Sequence, residues 1–243
     1  MLDRVRTCLL VLALLGGWGL PVAAEGPPMK VLVVLVAFPE LVPGIDQDFA
    51  RAQFGKLASY VREMSYGKVD LSFDFTDWCQ LPEPVGRYAI SPANHKVDKS
   101  RVVKLIQQSI DAIDGAYDLS RYRLLVLFLG ARFQDYGMVG LCGYPGILGW
   151  SQDIQFSTKG GQVVPGGVAI FTWQAHPGTL FHDVAHVLGG VRDGKRMVPC
   201  LYDQDLQAKY PAVDDFAKAL INMGYWDPLS CHFHKRTEPP MGI

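Results

Sequence analysis

The chain has 243 residues, with 23 basic against 24 acidic side chains and a formal net charge of -1 at pH 7. This balance, without a basic stripe, excludes an electrostatic nucleic-acid footprint, so no nucleic-acid partner is expected. The length is ample for one cored domain, and no repeat, low-complexity tract or convincing internal boundary divides it.

Residues 1–24 read as a secretory signal peptide. Arg4 and Arg6 precede an apolar run from Cys8 to Leu20, and Val22-Ala23-Ala24 is a small-residue cleavage site. The run is short and glycine-containing for a membrane span. Cys8 lies inside it rather than at its cleavage end, which argues against a lipid anchor. The sequence therefore predicts export, to the extracellular space or the periplasm. The mature domain covers 25–243, with no stable membrane association after cleavage. Cys79, Cys142, Cys200 and Cys231 remain in that domain. An even number of cysteines in an exported chain predicts two disulfides, in any of three pairings.

Met29 to Phe38 is a continuous β-branched run, the pattern of a strand buried on both faces. From Asp46 to Met64, Phe49, Phe54, Leu57, Tyr60, Val61 and Met64 recur at helical spacing, with Asp46 or Asp48 as cap and Ser65-Tyr66-Gly67 as stop. Val69, Leu71, Phe73 and Phe75 alternate with polar residues, as in a half-buried strand. Asp98 to Ile113 is a second amphipathic helix, and Arg123 to Leu129 a second buried strand. The stretch 130–167 is Gly-rich and reads as a long irregular loop, either lining a substrate cleft or pinned by a disulfide through Cys142. Val168 to Phe171 is a short strand, expected to pair with extended substrate at a sheet edge. Thr179 to Leu188 is a helix stopped by Gly189-Gly190, and Val213 to Asn222 is a last short helix. Early alternation of strands and helices predicts a three-layer α/β or α+β domain with a mostly parallel, twisted sheet.

The chemistry concentrates in Thr179-Leu-Phe-His182-Asp183-Val-Ala-His186-Val-Leu-Gly189. Histidines four apart share one helix face, so both imidazoles can reach one metal ion. An acidic residue after the first histidine stands where it can take a proton from a water polarised by that ion, the logic of the H-E-x-x-H helix. Glycine three residues after His186 lets the chain double back toward the ion.

These residues resemble the zinc helix of the immune inhibitor A family of secreted bacterial metallopeptidases. Val31–Phe38 resembles that family's opening strand, Arg62-Glu-Met-Ser-Tyr-Gly-Lys-Val-Asp-Leu its helix-to-strand passage, and Trp226-Asp-Pro-Leu-Ser230 the turn beneath its metal. The resemblance implies a metzincin-like fold, a Zn2+ cofactor, and hydrolysis of peptide bonds in protein or peptide substrates. His182 and His186 would hold zinc, and Asp183 would serve as general base. The family's pattern departs at three places. Asp183 stands where the family has glutamate, one methylene longer. Leu229 replaces the methionine of the turn, a swap of similar volume. The third ligand, three residues after the glycine in the metzincin pattern, falls on Arg192, and a guanidinium cannot bind zinc. Asp193 is next in line and is the expected third ligand. If Gly190 to Val198 is instead an insertion, Pro199-Cys-Leu-Tyr-Asp203 matches the family's ligand segment. Cys200, Asp203 or Asp205 then becomes the donor, with His176 a further alternative. Cys231, His232 and His234 are read as exposed tail residues rather than a second metal cluster. The family continues beyond Pro239-Pro240, so the chain is expected to be truncated at its C-terminus. The competing functional class is a secreted, non-catalytic module that keeps the fold for binding.

Overall fold

A computed structural model of the protein describes residues 26–90 and 97–198, together with Leu229, which is half-buried in a turn. The expected signal segment, the expected helix over Val213–Asn222, the rest of the Trp226–Ser230 stretch, and Cys200, Asp203, Asp205, Cys231, His232 and His234 lie outside the described residues. Among the described residues, no helix is long and apolar enough to cross a membrane.

The scaffold is a six-stranded sheet. Strand β1 (Met29–Ala37) pairs in parallel with β2 (Leu71–Phe75), with the short β3 (Cys79–Gln80), and with β4 (Leu124–Leu129). Strand β6 (Gly167–Thr172) pairs in parallel with β4. Strand β5 (Gly140–Tyr144) runs antiparallel along the far side of β6, giving the order β2-β1-β4-β6-β5. The fold is thus the mixed, mostly parallel sheet expected from the sequence.

Both faces of the central strands are apolar because helices cover both. On one face Leu32, Val34, Leu125, Leu127 and Ile170 pack with Val102, Leu105, Ile106 and Ile110 of α2 (Lys99–Ala112). On the other, Val31, Val33, Val126, Phe128 and Phe171 meet two helices. These are α1 (Gln47–Met64), through Ala50, Phe54 and Leu57, and α4 (Pro177–Gly189), through Leu180, Val184 and Val187. The edge-on contact of Tyr60 with Phe181, centroids 4.8 Å apart, joins α1 to α4. Asp46 caps α1 by accepting the Phe49 N–H, and Asp98 caps α2 by accepting those of Ser100 and Arg101, so these helices begin where the sequence reading puts them.

Two expectations are corrected. The stretch 130–167 is not an unbroken loop: it holds a single helical turn, α3 (Phe133–Tyr136), and strand β5. The glycines that disguised β5 are there for close approach. A Cβ on Gly140 would stand 2.7 Å from Phe171 Cδ1 and 3.0 Å from Asp183 Oδ2, and one on Gly143 would meet the Val168 carbonyl oxygen at 2.9 Å. Consequently β6 is an interior strand, buried along its whole length, and offers no edge to a substrate; the edge belongs to β5.

The second correction concerns the cysteines. Cys79 is a free thiol, with Sγ 3.4 Å from the Asp77 carbonyl, and burial pushes its pKa up. Cys142 donates its S–H to the Pro145 carbonyl at 2.8 Å. Between β3 and β5 lie β1, β4 and β6, four inter-strand steps or roughly 19 Å. That is far beyond disulfide reach, so these two cysteines do not pair with each other.

The tight seat of Gly140 sets a clear expectation. Gly140→Ala forces Phe171 and the Asp183 carboxylate aside and should lower stability by about 1–3 kcal/mol, the usual cost of overpacking. A denaturant melt checks it, and an unchanged midpoint would show that β5 does not press on α4 as described.

Candidate metal centre

Helix α4 is placed by its two ends. His176 is the N-cap, its Nδ1 accepting the Gly178 N–H at 3.2 Å, and Pro177 follows at the first helical position. Gly190, at φ +65°, ends the helix, its N–H bonded to the Val187 carbonyl at 3.1 Å. With Leu180, Val184 and Val187 against the sheet, the 100° step per residue sends Asp183 to the β5 flank and His182 and His186 beyond it.

His182 and His186 are both buried, at 1% exposure. Their Nε2 atoms lie 3.2 Å apart, with the rings edge to face. The Nδ1 of His186 is 2.7 Å from the Val198 carbonyl oxygen. A carbonyl can only accept, so the His186 proton is on Nδ1 and its Nε2 presents a lone pair. Two nitrogens each 2.0–2.1 Å from a tetrahedral ion would be about 3.3 Å apart. The observed spacing fits two imidazoles converging on one divalent metal, and a backbone carbonyl fixing the tautomer is the usual support of a metal-bound histidine.

Asp183 is also buried, and its carboxylate turns toward the edge strand. It accepts the backbone N–H of Cys142, while Oδ2 packs over Gly140 with no hydrogen-bond partner among the described residues. Burial pushes its pKa up to about 7, against the opposing pull of Arg196 and of the Cys142 N–H. A carboxyl that gains and loses a proton near neutrality is suited to general acid–base work. The aspartate therefore lies in a closed slot between α4 and β5, rather than at an open rim.

Residues after the helix form a small hairpin, β7 (Val191–Arg192) with β8 (Lys195–Arg196). Asp193 and Gly194, at φ +51° and +68°, make its two-residue type I′ turn. Asp193 is exposed at that tip. The structure thus does not bring the expected third ligand to the histidines. Among the described residues no three His, Cys, Asp or Glu side chains gather around one metal position. The hairpin closes on itself: the Met197 N–H bonds the Gly190 carbonyl at 3.0 Å, and Val198 packs onto Gly189.

Three participants were invisible to sequence reasoning: the Cys142 N–H, the Val198 carbonyl and Arg196. Two are backbone groups, which no residue pattern reports. The third depends on the hairpin, for which Asp193-Gly194 was an available signal.

No protein-family model matches the chain, and no curated protein matches it. Among solved structures, "Crystal Structure of metalloproteinase-II from Bacteroides fragilis" is a weak neighbour. It has a TM-score of 0.38 and 14% sequence identity, over 70% of this chain and 44% of that one. The chain therefore spans less than half the length of this bacterial metalloproteinase.

Proposed function

We propose that the chain is an exported zinc-dependent endopeptidase of the immune inhibitor A type, acting on protein or peptide substrates. The observation that carries this reading is the convergence of the His182 and His186 Nε2 atoms, 3.2 Å apart, with the His186 tautomer set by Val198. Zinc held there would acidify a water and polarise the scissile carbonyl. Asp183, next to His182 on the same helix, would take up the proton of such a water and return it to the leaving amine. Arg196 supplies the positive charge that favours the ionised carboxylate. The outer edge of β5, which no other described strand covers, is where an extended peptide would add a strand, rather than β6.

A catalytic zinc takes three protein donors. We assign the third to the segment after Val198, because the bond from Met197 to Gly190 makes the hairpin an excursion that returns the chain to Gly189. With that excursion skipped, Cys200 occupies the third place after Gly189, ahead of Asp203 and Asp205. Cys200→Ser should strip most of the zinc, whereas Asp193→Ala should leave it bound. Metal analysis of the two purified variants decides, and the reverse result restores Asp193.

A second reading is favoured by the burial of both histidines at 1% exposure. On that reading the chain is a secreted binding module in which the pair is satisfied internally. Turnover of an unfolded protein substrate, with and without chelator, separates the two. Chelator-sensitive cleavage supports the peptidase, and its absence in zinc-loaded protein supports the module.

A further inference from the structure

We propose that the β7–β8 hairpin is a docking element for acidic side chains of a bound peptide. This deepens the peptidase reading by naming a substrate class, and the cleavage part of it rests on that reading. The hairpin has two faces. Val191 and Arg196 oppose each other on the half-buried face, and Arg192 and Lys195 oppose each other on the solvent face. Like charges directly across a ladder destabilise it. Neither Arg192 nor Lys195 makes an ion pair among the described residues. Asp193 lies between them at the turn, exposed at φ +51°, and forms no ion pair with either among the described residues. Among the described residues Arg192 and Lys195 thus stand as two exposed cations side by side without an ion-pair partner.

That point is tied to the histidine site. Two residues past β8, the Val198 carbonyl bonds His186 at 2.7 Å. On the other side, the Val191 carbonyl accepts the Gln152 side-chain amide at 3.4 Å, linking the hairpin to the loop that follows β5. Trp150 in that loop and Met197 beside the hairpin are exposed at 49% and 47%. The surface flanking the centre therefore offers a cationic pair with apolar neighbours. It is complementary to an extended peptide carrying acidic residues among apolar ones.

The test uses three labelled peptides sharing one apolar framework and differing only in a pair of Glu, Gln or Lys residues. Their binding to the mature protein is measured by fluorescence anisotropy at low salt. The Glu peptide should bind about five- to tenfold more tightly than the Gln peptide, and added salt should erase the difference. Arg192→Glu with Lys195→Glu should reverse the order in favour of the Lys peptide. Arg192→Gln with Lys195→Gln should abolish the preference without reversing it. Both residues are exposed, and an unchanged melting midpoint verifies the fold. Equal binding of the three peptides, or an order unmoved by charge reversal, overturns the proposal. His182→Ala protein should keep the Glu preference while losing cleavage. Absence of cleavage in wild type with the preference intact therefore counts against the peptidase reading and not against the hairpin.

Discussion

Asp183→Asn is expected to lower turnover by about 100-fold or more while zinc content stays unchanged, because the amide cannot accept the proton. The structure also gives a direction for Asp183→Glu. Oδ2 already lies where a Cβ on Gly140 would be 3.0 Å away, and Phe171 closes the same slot. The slot is built around the shorter side chain. The extra methylene should crowd it, and activity should fall. Steady-state rates on one peptide, alongside metal analysis, check both. Loss of zinc in the Asn variant, or a gain of rate in the Glu variant, would reject the slot geometry. The pH dependence has a definite sign. The folded pKa of Asp183, about 7, lies above its ordinary 3.8. In the metal-free protein the ionised carboxylate therefore grows in as pH rises through about 7. Stability runs the other way. The buried neutral carboxyl favours the fold fully below about 3.8, and this contribution is lost as pH climbs to about 7. The Asn variant should lack that decline.

His182→Ala and His186→Ala are expected to reduce zinc from about one per chain to near zero. The linked readout is thermal. Free zinc at 100 times its dissociation constant stabilises a protein that binds it only when folded by about 2.7 kcal/mol. For a domain of this size that is roughly 5–10 °C in Tm. Wild type should show this shift and neither variant should. His186→Ala should be the worse of the two for the metal-free fold, since it also leaves the Val198 carbonyl without its 2.7 Å partner. A zinc-dependent shift that survives in both variants would place the metal elsewhere.

The elements that were legible in the sequence are those whose residues answer to one local rule. Strands β1 and β4 read as unbroken apolar runs because helices cover both faces. Asp46 and Asp98 announced their helices through capping that needs only neighbours in sequence. His182 and His186 were legible because helical spacing alone brings them together. What stayed hidden depends on contacts across the fold. Strand β5 carries glycines at positions where α4 and β6 come close, so its composition imitates a loop. Asp193 looked like a ligand from its distance along the chain, but the type I′ turn gives it a structural task and points it to solvent. The slot around Asp183 combines a strand amide, a glycine and an arginine from a hairpin, and none of these is near it in sequence except through folding.

The closed hairpin also governs how this part of the chain can change in length. Side chains alternate along a ladder, so gaining or losing one residue in Val191–Arg196 would turn Arg192 and Lys195 inward and Arg196 outward. The type I′ turn fixes the register and leaves no slack to absorb the slip. Because the bond from Met197 to Gly190 already joins the two ends, the segment between them can be removed or replaced as a whole without moving Gly189 or Val198. Insertions and deletions here are therefore tolerated in whole hairpins and not in single residues. The surface beside the centre can be exchanged as a unit while the helix that carries the histidines stays where it is.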